Sequence, residues 1–196
     1  MTFFASLINR NDHHSGVPRQ SLVALVFLSG PSDVEGQFVA ALRVIEAVNR
    51  VVGPHVGVLL RAVRGVTDAQ AGRGRPQSRI NPLVRSCDLF VAVFDKRFGS
   101  PTGSSMSGTE EEFKVADRRA RRRGSPHVLL FFREFRDAEV RDPGIQLRRV
   151  LRFKKSIDAG QRYYRLGYST KMDFQVTFME QLVQWVWSVA RPRRRR

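Results

Sequence analysis

Short runs of consecutive apolar residues alternate along the chain with stretches in which apolar residues recur every three or four positions. An uninterrupted apolar run is typical of a strand that is covered on both faces. Four such runs predict strands at 22–28, 55–63, 88–95 and 127–132. A shorter segment within 161–168 predicts an edge strand.

The periodic stretches predict amphipathic helices between and after these strands. The helices are expected over 32–52, 80–87, 109–123 and 144–157, and along an apolar stripe from Phe174 to Val189. The first should open on Ser32 and Glu35, which have capping-box spacing, and end at Gly53-Pro54. The segment 64–79 is rich in Gly, Arg, Gln and Pro and predicts a long loop.

Strands that alternate with helices indicate a parallel sheet with helices on both faces. We therefore predict an α/β, flavodoxin-like sheet of about five strands. In such sheets ligands bind beyond the carboxyl ends of the strands, where the winding direction reverses. In a flavodoxin-like order that crevice lies between the first and third strands, and its loops are 29–33 and 95–112.

The length of 196 residues fits one domain, for which we predict the bounds 21–190. A polar leader at 1–20 and a basic tail at 191–196 are expected to be disordered. No apolar run is long enough to span a bilayer, and the N-terminus lacks the pattern of a signal peptide. A single cysteine, Cys87, permits no internal disulfide and suits burial as a small apolar side chain. We expect a cytoplasmic protein.

The formal net charge of +16 comes largely from two arginine clusters. One cluster is the tail, and the other consists of Arg118, Arg119, Arg121, Arg122 and Arg123. Without these ten charges the excess is only +6. The second cluster falls at a predicted helix end, where the helix dipole favours cations, or forms an anion-attracting surface. We expect nucleic acid to bind, if at all, only through the tail, and we expect no membrane partner.

Two segments at the predicted crevice carry candidate chemistry. Ser29-Gly30-Pro31 places small residues where a helix begins, and backbone N–H groups there can meet an anion. Gly108-Thr109-Glu110-Glu111-Glu112 places three carboxylates at the start of another helix. Neither segment has the spacing of a dinucleotide fingerprint or a phosphate loop. Thr109 and Glu112 also have capping-box spacing, so Glu112 is either a helix cap or a site residue.

Several motifs together resemble a bacterial domain of unknown function that is similar to TIR domains. They are Leu28 to Val34, Gly74 to Gln77, Ile80 to Pro82, Cys87 to Val91, Phe98 to Gly103 and Ser107 to Phe113. That family often precedes STAND-type NTPase or repeat modules in signalling and defence proteins. Its scaffold is shared with nucleoside deoxyribosyltransferases and nucleotide N-hydrolases.

The resemblance implies an N-glycosidase in which Glu112 attacks or stabilises the anomeric carbon. NAD is the favoured substrate, because its cationic nicotinamide leaves as a neutral base without needing an acid. No cofactor or metal is expected, and self-association would activate the domain, with the loop 64–79 completing a neighbour's site. The residues placed around the nucleotide are Ser29, Gly30, Pro31, Asp33, Asp95, Arg97, Phe98, Gly108 and Thr109.

Two other interpretations remain open. The domain could be a non-catalytic module that uses the same loops for protein–protein contacts with TIR-like or STAND components. It could also be a glycosyl transferase or hydrolase that acts on nucleosides or nucleotides other than NAD, as in the deoxyribosyltransferases.

Overall fold

The computed structural model describes residues 21–69 and 73–190. The predicted leader and the predicted basic tail lie outside the described residues. The described chain builds one five-stranded sheet, and all of its strand pairs are parallel. The strands are β1 Leu22–Ser29, β2 Val58–Arg64, β3 Leu89–Phe94, β4 His127–Arg133 and β5 Arg165–Tyr168.

The strand order is β2-β1-β3-β4-β5. This is the flavodoxin-like order, so the predicted fold class is confirmed. β1 lies beside β3 with Ser29 opposite Ala92, and the carboxyl ends of the two strands therefore meet at one edge of the sheet. All six residues of β3 are buried, as its continuous apolar run requires.

Eight α-helices connect or follow the strands in the described residues. They are α1 Glu35–Val51, α2 Gly53–Val56, α3 Gly65–Asp68, α4 Pro76–Ser86, α5 Gly108–Arg123, α6 Asp137–Arg141, α7 Ile145–Gly160 and α8 Lys171–Ala190. One face of the sheet is covered by α1 and α8. The other face is covered by α4, α5 and α7, which pack on Phe27, Phe90 and Phe94.

Two local predictions are wrong, and one short helix has no counterpart among the predictions. The second strand begins at Val58 and not at His55, because residues 53–56 form the short helix α2. His55 is therefore helical, and Gly57 ends α2 in the left-handed region with a φ of 66°. The predicted loop 64–79 contains α3 and the start of α4, which opens on Pro76 because proline fits the first helical turn. The short helix α6 was not predicted.

The start of the first helix also differs from its prediction. Residues Ser32–Val34 form a single 3-10 turn, and α1 follows at Glu35 without a side-chain cap. Both oxygens of Glu35 accept hydrogen bonds from Arg64, at 2.9 and 2.6 Å. The carboxylate therefore joins α1 to β2 instead of closing a capping box.

Candidate active site

The carboxyl ends of β1 and β3 bring the two predicted site segments together. Ser29 is the last residue of β1, and Glu112 lies in α5, which follows β3 after a loop. The Ser29 hydroxyl donates to Oε2 of Glu112 at 2.5 Å. Both side chains are buried, with exposed fractions of 1% and 8%. The fold thus places Glu112 at the edge where this class of sheet binds ligands.

A third side chain, that of Gln77, completes the surroundings of Glu112. Gln77 lies in the first turn of α4, and its Nε2 donates to Oε1 of Glu112 at 3.4 Å. Its own carbonyl oxygen is buried and has no hydrogen-bond partner among the described residues. Gln77 is not among the predicted site residues, because the composition of its segment predicts a loop.

The environment of Glu112 makes its charged form costly. Burial raises the pKa of Glu112 to about 7, and the nearby charge of Glu111 acts in the same direction. The hydrogen bonds from Ser29 and Gln77 act to lower that pKa but do not outweigh burial. Both protonation states of this carboxyl are therefore available near neutral pH.

The neighbouring Glu111 has the opposite electrostatic character. It accepts hydrogen bonds from Thr102 at 2.5 Å, Ser104 at 2.6 Å and Asn81 at 3.0 Å, and pairs with Arg75 at 2.9 Å. Burial acts to raise the pKa of Glu111, but these hydrogen bonds and the guanidinium lower it to about 2. Glu111 is thus an ionised anchor that ties α4 and the loop before α5 to the start of α5.

The capping interpretation of Glu112 is wrong. Helix α5 begins at Gly108, and its N-cap is Ser107, whose Oγ accepts from the Glu110 backbone N–H at 3.1 Å. The Glu110 carboxylate accepts from the backbone N–H of Met106 at 2.7 Å. Thr109 is therefore inside the helix, where it is buried. Of the three consecutive carboxylates, Glu110 accepts a hydrogen bond at the start of α5, and Glu112 accepts one from Ser29.

Two predicted site glycines lie where the structure leaves no room for a side chain. A Cβ on Gly30 would come within 2.8 Å of the Val93 carbonyl oxygen, so glycine lets the turn after β1 cross closely over β3. A Cβ on Gly108 would lie 2.6 Å from Nε2 of Gln77. Pro31, between Gly30 and the 3-10 turn, accepts a hydrogen bond from the Val34 N–H.

Two predicted acidic residues, Asp33 and Asp95, lie beside the same edge. Oδ2 of Asp33 accepts from the Arg97 backbone N–H at 2.8 Å, whereas Oδ1 is buried without a partner among the described residues. Burial raises the pKa of Asp33, and the charge of Asp95 adds to the rise. Asp95 itself pairs with Arg133 at 3.0 Å.

The remaining predicted residues, Phe98 and Arg97, differ in position. The Phe98 ring is 3% exposed and packs against Phe94 and Phe153, so it belongs to the core. The Arg97 side chain is exposed and lines a cavity of about 470 Å³ with Lys96, Glu139 and the start of α7. The lining of this cavity thus includes Arg97 but not Phe98.

The described part of the chain holds a buried cysteine and no group of potential metal ligands. Cys87 is buried, and burial raises the pKa of its thiol to about 12, so it is not a nucleophile at neutral pH. Within residues 21–69 and 73–190, no three His, Cys, Asp or Glu side chains are grouped as metal ligands. No described helix is long and apolar enough to cross a membrane.

Comparison with known proteins gives remote structural similarities. The translation elongation factor SelB from Methanococcus maripaludis, in its apo form, is 14% identical, with a TM-score of 0.46; the match covers 87% of this chain and 35% of SelB. The Clostridium botulinum CMP N-glycosidase BcmB is 14% identical, with a TM-score of 0.38, over 78% of this chain and 96% of BcmB. No curated protein matches the sequence.

The sequence match to a family is more extensive. Residues 45–183 match the family described as "Domain of unknown function (DUF4062)". This match covers well over half of the chain, including α4, β3, α5 and the residues Gln77 and Glu112. It confirms that part of the expected resemblance which pointed to a family of unknown function. The chain is a member of the DUF4062 family.

Proposed function

We propose that this domain is an N-glycosidase that hydrolyses NAD or a related nucleotide, with Glu112 as the catalytic carboxylate. The observation that carries the proposal is the contact of Glu112 with Ser29 at the carboxyl edge of the sheet. A buried carboxylate at the ligand-binding edge of this fold is a candidate catalytic group.

The partners of Glu112 suit that role. Glu111 is paired with the Arg75 guanidinium, which offsets its charge. Among the described residues, Glu112 accepts from two neutral donors, Ser29 and Gln77, and none of their cations pairs with it. A carboxylate of this kind can stabilise, or bond to, a positive centre that develops beside it in a site with little water.

The reaction balances without a cofactor. The bond between C1′ of the ribose and the pyridinium nitrogen breaks, and nicotinamide leaves as a neutral base with the bonding electron pair. The positive charge moves to the ribose, where the Glu112 carboxylate stabilises the oxocarbenium-like state. Water then adds to C1′ and releases one proton, which yields ADP-ribose.

Substrate binding requires the side chains over Glu112 to rearrange. Glu112 is only 8% exposed, and the Gln77 amide lies against it. The bond from Gln77 is 3.4 Å long, near the upper limit for a hydrogen bond, so it is weak and easily replaced. We propose that the nucleotide displaces this amide and that the Ser29 hydroxyl continues to orient the carboxylate.

Two neighbouring residues could hold the rest of the nucleotide. Asp33 has a buried oxygen without a hydrogen-bond partner among the described residues, and it could accept from a ribose hydroxyl. The Arg97 guanidinium lines the cavity of about 470 Å³ and could bind the pyrophosphate.

We also propose that the domain self-associates, alone or with other TIR-like or STAND components, and that it acts in bacterial anti-phage defence or signalling. The support is an exposed apolar stripe on α8, where Met172, Val176 and Trp187 are exposed by 63%, 51% and 47%. At about 100° per residue these three positions fall within an arc of about 60° of the helix. An exposed stripe of this kind is typical of an interaction surface.

The direct test is release of nicotinamide from NAD by the purified chain, dilute and concentrated. Glu112→Gln should abolish release. Glu110→Gln is the matched control: it lies in the same helix, faces Lys114 and should keep the activity. Loss of activity in both variants would contradict a specific role for Glu112.

The two alternatives give different results in the same assay. A non-catalytic assembly domain releases no nicotinamide at any concentration. The burial of Glu112 and the exposed stripe on α8 are compatible with this alternative as well. An enzyme of the deoxyribosyltransferase kind releases the base from a deoxynucleoside such as deoxycytidine and leaves NAD intact.

A further inference from the structure

A cleft on the face that carries α4 and α5 is lined almost entirely by arginines. Its volume is about 310 Å³. This arginine cleft is lined by Arg85, Val115, Arg118, Arg119, Arg122 and Arg123. Arg85 comes from the end of α4, and the others come from α5. Two helices thus direct cations into one depression.

The arginines of this cleft have no acidic partners. Within the described residues, none of the five forms an ion pair with a carboxylate, whereas Arg121, outside the cleft, pairs with Asp117 at 2.7 Å. Arg119 donates to the Cys87 carbonyl, which fixes its position. The guanidinium groups of the other four remain available to an external anion.

Helix stability does not account for this arrangement. The dipole favours Arg122 and Arg123 in the last turn of α5, but its effect falls off before Arg118 and Arg119. Arg118 and Arg122, and likewise Arg119 and Arg123, are like charges four positions apart, a spacing that destabilises a helix. The stability of α5 therefore gives no reason for placing these four arginines together.

The arginine cleft is remote from the candidate active site. Helix α5 starts at the carboxyl edge of the sheet, where Glu112 meets Ser29, and runs back toward the start of β4. Its arginines therefore lie toward the opposite edge. A ligand in this cleft does not depend on the proposed glycosidase activity.

We propose that the arginine cleft binds the phosphate backbone of a nucleic acid without reading its sequence. Guanidinium groups match phosphate oxygens bidentately. From Arg118 to Arg123 the helix rises about 8 Å, which spans two to three phosphates at an axial spacing of about 3.4 Å per strand. The lining contains no aromatic side chain on which a base could stack.

Other anionic partners fit less well. The four available guanidinium groups exceed what a single phosphate can engage. A protein interface has an apolar or aromatic centre, whereas the only apolar lining residue, Val115, is 5% exposed. The net charge of +16 would in addition attract a polyanion from solution.

The test measures how tightly the full chain binds a fluorescent mixed-sequence DNA duplex of about 20 base pairs. Fluorescence anisotropy gives the binding constant K at salt concentrations from about 50 to 200 mM. Replacing Arg118, Arg122 and Arg123 by Gln should weaken binding at least tenfold and reduce the slope of log K against log salt by about 2 to 3. The single variant Arg122→Gln should reduce that slope by about 1. A duplex of scrambled sequence should bind equally well.

The matched control replaces Arg43, Arg50 and Arg141 by Gln, which removes the same charge from exposed positions outside the cleft. This variant should bind within about twofold of the parent chain. Gln is a good helix former, so circular dichroism should show that the cleft variant keeps its fold and melts no lower than the parent.

Three results would overturn the proposal. The first is equal weakening in the cleft and control variants, which would indicate attraction by net charge alone. The second is a cleft variant that binds like the parent, with binding lost when residues 191–196 are deleted. The third is stronger binding of a polyglutamate peptide than of the duplex, which would indicate a protein partner.

Discussion

The Ser29 hydroxyl meets the Glu112 carboxylate at 2.5 Å, although 83 positions of sequence separate the two residues. This hydrogen bond joins the end of β1 to α5 across the edge where ligands bind in this fold class. The energetic state of Glu112 therefore depends on the tertiary structure, and it can be tested by stability as well as by activity.

Glu112→Gln is expected to stabilise the protein in alkaline solution. The pKa of Glu112 is about 7 in the folded chain and 4.5 ordinarily, so the folded state holds its proton more tightly. Stability is then lost as the pH rises from about 4.5 to 7, by roughly 3 kcal/mol at most. Glutamine avoids this loss and can pair with the free Gln77 carbonyl oxygen.

Urea unfolding of both proteins at pH 5 and pH 8 checks this prediction. The free energies of unfolding should be similar at pH 5, and the variant should be more stable at pH 8. A variant that is less stable at pH 8 would show that the ionised carboxylate is well accommodated in the fold.

Glu111→Gln is expected to have the opposite effect. The pKa of Glu111 is lowered to about 2, so its contribution is present above pH 4.5 and is lost as the pH falls toward 2. At pH 7 the variant should lose up to about 3 kcal/mol of unfolding free energy. Glu110→Gln, which disrupts a more exposed ion pair with Lys114, should cost less than about 1 kcal/mol. Equal costs would refute an anchoring role for Glu111.

Ser29→Ala should move the titration of Glu112 to higher pH. The hydrogen bond from Ser29 lowers the pKa of Glu112, so its removal raises that pKa further. The pH range in which stability falls, measured by thermal melts from pH 4 to 9, should extend upward. Ser107→Ala is the matched control: it removes a helix cap, costs about 1 kcal/mol at every pH, and should leave the titration in place.

The two site glycines should respond differently to alanine. In Gly30→Ala the new Cβ meets the Val93 backbone carbonyl, which cannot move aside, so a loss of about 1–3 kcal/mol is expected. In Gly108→Ala the Cβ meets only the flexible end of Gln77, and alanine favours the helix by up to about 1 kcal/mol. Gly108→Ala should therefore keep its stability but lose the contact of Gln77 with Glu112. Urea unfolding measures the stability of both variants. A Gly108→Ala variant that is less stable than Gly30→Ala would contradict this explanation.

Trp187→Lys is expected to weaken self-association without unfolding the domain. Trp187 is 47% exposed and does not belong to the buried core, so the domain should stay folded. Sedimentation velocity at several concentrations should show a smaller assembled fraction than for the parent chain. Lysine at Val51, a 61% exposed position in α1, is the control and should leave assembly unchanged. Identical behaviour of all three proteins would exclude the α8 stripe as the contact surface.

Sequence alone determined the fold class and the place of the candidate site within it. The apolar runs that become β1, β3 and β4 are buried on both faces over most of their length, so their pattern is visible locally. Strand–helix alternation then implies a parallel sheet. That topology places Ser29 and Glu112 at one edge. Helix starts were predicted less well, because a cap depends on which hydroxyl turns toward the helix, and Ser107 competes with Thr109 for that position.

Only the tertiary structure decided what each carboxylate does. Glu110, Glu111 and Glu112 are consecutive acidic residues in one helix, yet their roles differ. Glu110 accepts a hydrogen bond at the start of α5, Glu111 is an ionised anchor, and Glu112 is a buried carboxyl with a pKa of about 7. The difference arises from Gln77, Arg75 and Ser29, which come from distant segments. Desolvation and hydrogen bonding act through space, and therefore the pKa values follow from packing that no local pattern encodes.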